Sequence, residues 1–98
     1  MHGFYNRILT IDLSARTCVI EAVADEVLRQ CLGGKGLATR LLLERNAAGV
    51  DPLAPANHLI FATGPFCGGR LWGGSRYGVF TKSPLTGFYA ESYSGGKV

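Results

Sequence analysis

The run Arg76-Tyr77-Gly78-Val79-Phe80-Thr81-Lys82 restricts the fold more than any other stretch, because a glycine-rich loop delivers it and turn chemistry follows it. Its alternation has a period of two. Arg76, Gly78, Phe80 and Lys82 therefore share one face of a strand, and Tyr77, Val79 and Thr81 share the other. Ser83 and Pro84 end the run, Leu85-Thr86-Gly87 supplies a turn, and Phe88 to Tyr93 starts a second, aromatic-rich strand. This is the pattern of a hairpin with a longer loop. Ser94-Gly95-Gly96 then frees the backbone. Glycine amides can approach a ligand closely and form concave anion nests. The stretch from Gly73 to Gly96 thus reads as a ligand cradle with two cations on one face, and it fits an ordinary hairpin with flexible turns equally well.

The distribution of charge points the same way. Residues 1–56 hold Arg7, Arg16, Arg29, Lys35, Arg40 and Arg45 against Asp12, Glu21, Asp25, Glu26, Glu44 and Asp51. Residues 57–98 hold Arg70, Arg76, Lys82 and Lys97 against Glu91 alone, together with nine of the fourteen glycines. A basic, glycine-rich half favours an anionic ligand such as a phosphate-bearing cofactor, and surface lysines on short strands give the same count without one. Cys18, Cys31 and Cys67 are odd in number and widely spaced, which indicates neither a disulfide framework nor a Cys-x-x-Cys metal site. They are expected to be buried small hydrophobes. No segment has the apolar length of a membrane span, and the N-terminus lacks the features of a signal peptide. The expectation is a soluble, cytoplasmic chain with no membrane partner.

Within the first half, Arg7 to Leu13 alternates with Leu9, Ile11 and Leu13 expected inward, and Thr17 to Val23 returns after a turn, with Asp12 and Arg16 at a solvated tip. Asp25 is the expected N-cap of a helix whose Val27, Leu28, Cys31 and Leu32 share a face, and Gly33 stops it. A second helix from Gly36 groups Leu37, Ala38, Leu41 and Leu42, widened by Leu43, with Arg40 and Glu44 as an outward i,i+4 pair. Gly33-Gly34-Lys35-Gly36 precedes that helix, a place that favours anions, yet it lacks the spacing of a phosphate-binding P-loop and serves better as a helix-to-helix corner. Pro52 and Pro55 mark a surface connection. His58-Leu59-Ile60-Phe61-Ala62-Thr63 is a continuous apolar run, expected as a strand buried on both faces. His58 has no partner at metal-ligand spacing and is expected to be a surface or capping histidine. The glycine-rich loop from Phe66 to Ser75 suits wrapping a planar ligand, and packing against the first hairpin is the more common fate of its solitary Trp72.

The resulting fold class is α+β: strands near 5–13, 17–23, 58–63, 76–82 and 88–93, helices near 25–32 and 36–45, in one domain over 1–98. The residues also carry a resemblance. The chain resembles the N-terminal domain of the aldehyde ferredoxin oxidoreductase family through R-I-L-T-I-D-L at Arg7 to Leu13, L-G-G-K-G-L-A at Leu32 to Ala38, V-D-P-L-A-P-A-N at Val50 to Asn57, F-A-T-G-P at Phe61 to Pro65, G-G-S-R-Y at Gly73 to Tyr77, T-K-S-P-L-T-G at Thr81 to Gly87 and S-G-G at Ser94 to Gly96. These run in the family's order over nearly the whole chain.

The resemblance implies a β-sheet base for a pair of pterins that bind tungsten or molybdenum (tungstopterin or molybdopterin), in a parent enzyme that oxidises aldehydes to carboxylates. Electrons would pass through a 4Fe-4S cluster to ferredoxin, with the cluster ligands outside this chain. It implies cofactor-binding roles for Arg76, between pterin and cluster, and for Tyr93, Ser94 and Gly95. The family often has Asn before Ser-Gly-Gly, so at Tyr93 a phenol or the backbone replaces the amide. No catalytic residue and no metal ligand is expected among these residues. The implied partners are the remaining domains of the parent, ferredoxin and a second copy in a homo-oligomer. Members of the family are several times longer, so the chain is expected to be a truncated N-terminal domain that is not an enzyme by itself. The reading from a different class is a small basic β-rich module in which Tyr77, Phe80, Phe88 and Tyr89 with Arg76 and Lys82 bind a nucleotide or single-stranded nucleic acid.

Overall fold

The structure is a computed structural model that describes residues 2–96. Lys97, counted above with the basic half, lies outside the described residues. The elements run β1 (Arg7–Asp12), β2 (Thr17–Ala22), α1 (Asp25–Cys31), α2 (Gly34–Arg45), β3 (Ile60–Thr63), β4 (Arg76–Lys82) and β5 (Tyr89–Gly95). The fold is α+β: β1 and β2 form an antiparallel pair, and β3, β4 and β5 form an antiparallel sheet with β4 in the centre.

The core is built where α2 crosses the second sheet. Phe80 is fully buried there, beneath Ala38 and Leu42, with Ile60 and Ala62 of β3 packed beside it. Ala38 and Leu42 are one helical turn apart, so the 3.6-residue period puts both on the face that meets the sheet. Gly78 makes this packing possible. A Cβ on it would lie 2.4 Å from the Phe80 ring and 3.0 Å from the ring of Tyr93, its cross-strand partner. The space a side chain would take in mid-strand is filled by two aromatic rings in an edge contact, 5.8 Å between centroids.

The first hairpin is fastened by polar contacts. Arg45, in the last turn of α2, donates to Thr10 Oγ1 at 3.0 Å and to Glu21 Oε2 at 2.5 Å, and the Thr10 hydroxyl donates to the same carboxylate at 2.7 Å. This determines which face of the hairpin turns inward. Ile8, Thr10 and Glu21 are half-buried, whereas Leu9, Ile11 and Leu13 are exposed, opposite to the expectation from their alternation. Apolar periodicity identifies the strand; the Arg45 anchor, 24 residues away from Glu21, chooses the face. At the tip, Asp12 Oδ1 accepts the amides of Ser14 and Ala15, and Arg16 adopts φ 55°, as a solvated turn requires.

Other expectations shift for local reasons. Ala24 caps α1 rather than Asp25, whose carboxylate instead accepts the Asn6 amide. Leu32 leaves the helix in a left-handed cap, φ 57°, and is exposed. The second helix begins at Gly34, two residues early, and the amide of Leu37 bonds the Gly33 carbonyl. Leu43 is exposed, so the apolar stripe of α2 is narrower than its sequence suggests, and the Arg40–Glu44 pair forms at 2.8 Å. The apolar run at 58–63 is not buried on both faces. It forms the edge strand β3, in which Ile60 and Ala62 are half-buried and Phe61 is exposed. Nor are the cysteines buried: Cys18 and Cys67 are exposed and Cys31 is half-buried, all three free. His58 is half-buried, and its Nδ1 lies 2.7 Å from Asn46 Oδ1, the same oxygen that accepts its backbone amide at the end of α2. Trp72 stands fully exposed rather than against the first hairpin. No helix among the described residues is long and apolar enough to cross a membrane.

Candidate cofactor-binding edge

Strand β5 continues through Gly95, so Ser94 and Gly95 are paired backbone rather than the free loop their composition suggests. Arg76 stands opposite Gly95, Tyr77 opposite Ser94, and Gly78 opposite Tyr93. Directly opposed residues share a face. Arg76, Tyr93 and Gly95 thus lie on the face that carries Phe80, and Ser94 lies on the other with Tyr77. All four candidates gather at one end of the β4–β5 ladder.

That end is lined by close backbone. A Cβ on Gly95 would lie 3.2 Å from the Ser75 carbonyl oxygen and 3.4 Å from Cγ of Arg76, so the bare Cα lets the arginine stem lie across the strand. The loop entering β4 is held by its own bonds: Gly68 N–H to the Gly74 carbonyl, Gly69 N–H to Phe66 and Gly74 N–H to Leu71, each 3.2 Å. The Cys67 thiol reaches the Arg76 carbonyl at 3.5 Å and ties the loop to the strand. Gly33 lies against the Thr63 carbonyl, which brings the α1–α2 corner to the same end. Gly33 thus abuts Gly64 at the start of the glycine loop, and Gly95 abuts Ser75 where that loop enters β4.

The charges sort differently from their alternation. Arg76 is exposed, and among the described residues its guanidinium has no ion-pair partner. Lys82, expected to reinforce it on the same face, is 2.6 Å from the Val50 carbonyl at the other end of β4 and is committed to that loop. A cleft of about 510 Å³ beside Lys82, lined by Leu42, Leu43, Val50 and Phe88 among others, includes none of the four candidates. Of the four aromatics in the nucleic-acid reading, Phe80 is buried and Tyr77 faces away from Arg76 and Lys82, so only Phe88 and Tyr89 stand exposed. Among the described residues no group of three or more His, Cys, Asp or Glu is placed to hold a metal.

Tyr93 is held in a polar cluster that the sequence did not single out. Its hydroxyl donates to Glu91 Oε2 at 3.1 Å, and Lys35 Nζ lies 3.0 Å from Oε1 and 2.9 Å from Oε2 of the same carboxylate. Tyr89 donates to Glu91 at 3.4 Å, and its oxygen lies 3.2 Å from Thr39 Oγ1. In sequence Lys35 belongs to the glycine corner at the start of α2 and Glu91 is the lone acid of its half, with nothing local to join them. The available signal was the spacing of Tyr89, Glu91 and Tyr93, which puts all three on one strand face.

The hydrogen bond from Lys35 holds the Glu91 carboxyl below its ordinary value of 4.5, aided by the Tyr93 phenol. Partial burial and then the Glu91 contact push the Tyr93 phenol upward, and Glu91 raises Lys35. Because the folded value of Glu91 is the lower one, its contribution is fully present above its unfolded value and is lost as pH falls through the folded value. A carboxyl-carbon NMR titration should place the Glu91 midpoint below 4.5. A midpoint at or above that value would contradict the cluster.

The donor set suits a phosphate-bearing group: a guanidinium without an ion-pair partner among the described residues, beside a strand end that has no side chain at Gly95 or Gly96. Comparison with known proteins gives a consistent result. Residues 8–98 match the family model for the aldehyde ferredoxin oxidoreductase N-terminal domain. The tungsten-containing aldehyde ferredoxin oxidoreductase of Pyrococcus furiosus is 44% identical over 96 residues, which cover 98% of this chain and 16% of that protein. The aliphatic sulfonate oxidoreductase WOR-like subunit of the same organism is 31% identical over 87 residues, 86% of this chain and 14% of that subunit. Among solved structures, the active-site complex BamBC of benzoyl coenzyme A reductase, bound to 1,5-dienoyl-CoA, superposes with a TM-score of 0.90 and 33% identity over 94% of this chain and 14% of that one. The chain thus spans about a sixth of the length of the curated relatives it matches.

Proposed function

The chain belongs to the aldehyde ferredoxin oxidoreductase family, as its N-terminal domain, and from that premise we propose that it forms the pterin-carrying base of a tungsten enzyme that oxidises aldehydes to carboxylates and passes the electrons to ferredoxin. The single observation that carries this reading is Arg76, without an ion-pair partner among the described residues, opposite Gly95 where the glycine loop enters β4. Tungsten-containing aldehyde ferredoxin oxidoreductases are 43–44% identical and the sulfonate oxidoreductase subunit 31%, which favours tungsten over molybdenum and aldehydes over sulfonates.

A bis-pterin tungsten centre supplies two-electron redox chemistry when bound. The residues of this chain bind and orient it. Arg76 offers a fixed charge and a planar fork of donors to phosphate, and the backbone of Ser94 and Gly95 lets the group approach β5 closely. The 4Fe-4S cluster ligands, the aldehyde pocket and the ferredoxin surface belong to the remaining domains of the parent, and the 98 residues alone are not catalytic. The test is to purify the full-length parent from cells grown with tungstate and to measure tungsten, pterin and aldehyde-dependent reduction of a viologen dye. Metal-free, pterin-free protein from tungstate-replete cells would refute the reading.

The open apolar surface bears on the partners. Leu9, Ile11 and Ile20 are exposed together on one face of the first hairpin, and Phe61 and Trp72 are exposed elsewhere. A two-stranded hairpin bare on such a face is a site of association. The isolated chain is therefore expected to self-associate, with sedimentation velocity showing dimers or larger species as concentration rises. A single monomer peak at high concentration would count against a homo-oligomer formed through this domain.

A further inference from the structure

Strand β5 is attached to α2 at its polar rim by one carboxylate. Glu91 accepts from Lys35, in the first turn of α2, and from the phenols of Tyr89 and Tyr93 on its own strand. Tyr89 also meets Thr39 one turn further along the helix. Beneath these contacts the Tyr93 ring stands edge-on to Phe80, in the space left by Gly78. The phenol therefore points back along β5 toward Glu91, and the side chain that precedes Ser94-Gly95 is occupied within the fold.

We propose that Glu91 is a positioning residue for the cofactor edge: by holding Lys35 and the Tyr93 phenol together, it turns Tyr93 away from the ligand and fixes the Ser94–Gly95 end of β5 against Arg76 and the start of α2. The role rests on the cofactor reading above. At this edge the ligand is addressed by Arg76 and by backbone, not by the side chain at position 93. An aromatic ring is accommodated at Tyr93 because Gly78 makes room for it and Glu91 holds its hydroxyl. The raised Tyr93 phenol agrees with this arrangement, since a neutral phenol is the form that donates to an ionised Glu91.

The test uses the 98-residue chain with Glu91→Gln, Glu91→Ala and the exchange Lys35→Glu with Glu91→Lys. Amide hydrogen exchange reads the strand end, and NMR titration with inorganic pyrophosphate probes the phosphate-binding edge. In both single variants exchange at residues 93–96 should accelerate about fivefold, the scale of an exposed ion pair reinforced by neighbouring hydrogen bonds, while β3 and β4 stay within about twofold. The charge exchange should recover most of the loss. Pyrophosphate should shift the Arg76 and Gly95 signals of the unmodified chain and bind about threefold or more weakly to the single variants. Unchanged exchange at 93–96, an equal acceleration throughout the sheet, or unchanged pyrophosphate affinity in both single variants would overturn the proposal. If the unmodified chain ignores pyrophosphate while the local, swap-rescued exchange effect persists, Glu91 still positions the strand end and it is the cofactor reading that fails.

Discussion

Replacing Phe80 with alanine is expected to cost the chain about 3–5 kcal/mol and to lower its thermal midpoint by about 15–30 °C or abolish the cooperative transition. Among the described residues Phe80 is the largest fully buried side chain, and the cluster around it holds only Ala38 and Leu42 as other buried members. A domain of this size has roughly 5–15 kcal/mol in total, so losing the ring consumes much of it. Repacking offers little relief. The ring lies over the bare Cα of Gly78 and against the edge of Tyr93, and Gly78 and Ala38 have little or no side chain with which to fill the cavity. Phe61→Ala is the comparison, since Phe61 lies in the same sheet but is exposed, and it should shift stability by no more than about 0.5 kcal/mol. Equal losses in the two variants, measured by denaturant unfolding, would show that the core lies elsewhere.

The asymmetry between Phe80 and Phe61 also shows what the sequence could reveal. Alternation along 76–82 assigns Phe80 to a face and predicts the hairpin partner, and both follow from local chemistry. Which face is covered depends on α2, some forty residues earlier, and no local pattern encodes that docking. The same limit explains Leu9, Ile11 and Leu13: their period marks a strand, but Arg45 holds the opposite face inward through Thr10 and Glu21. Lys82 illustrates it for the site. It shares a strand face with Arg76, yet six residues along a strand is about 20 Å, and its ammonium is captured by the Val50 carbonyl instead of adding to the field at Arg76. The family was legible because short motifs from 7 to 96 recur in order, a correlation across the chain that survives local ambiguity. The cluster around Glu91 was not, because Lys35 and Glu91 are 56 residues apart and each is unremarkable alone.

Arg76→Ala, introduced into the full-length parent, is expected to weaken cofactor retention about tenfold or more, or to slow electron transfer comparably, while leaving the fold intact. Hydrogen bonds from a guanidinium to a charged partner are each worth roughly 1.5–3 kcal/mol, and every 1.4 kcal/mol is a factor of ten. The fold should not register the change, because the side chain is exposed, has no ion-pair partner among the described residues, and only its stem crosses Gly95. Arg76→Lys keeps the charge but replaces a planar fork with one compact ammonium, so it should recover part of the loss. Arg70→Ala is the control: Arg70 is exposed in the same glycine loop, and its removal alters net charge equally without touching the β4–β5 end. The distinction from Lys82 is informative too, since Lys82→Ala frees a carbonyl at Val50 and should lower stability without altering metal or pterin content. Tungsten and pterin assays on the purified variants, together with aldehyde-dependent dye reduction, separate these outcomes. If Arg76→Ala matched the unmodified enzyme in all three, the β4–β5 end would be a scaffold and the anion would have to be held by other residues.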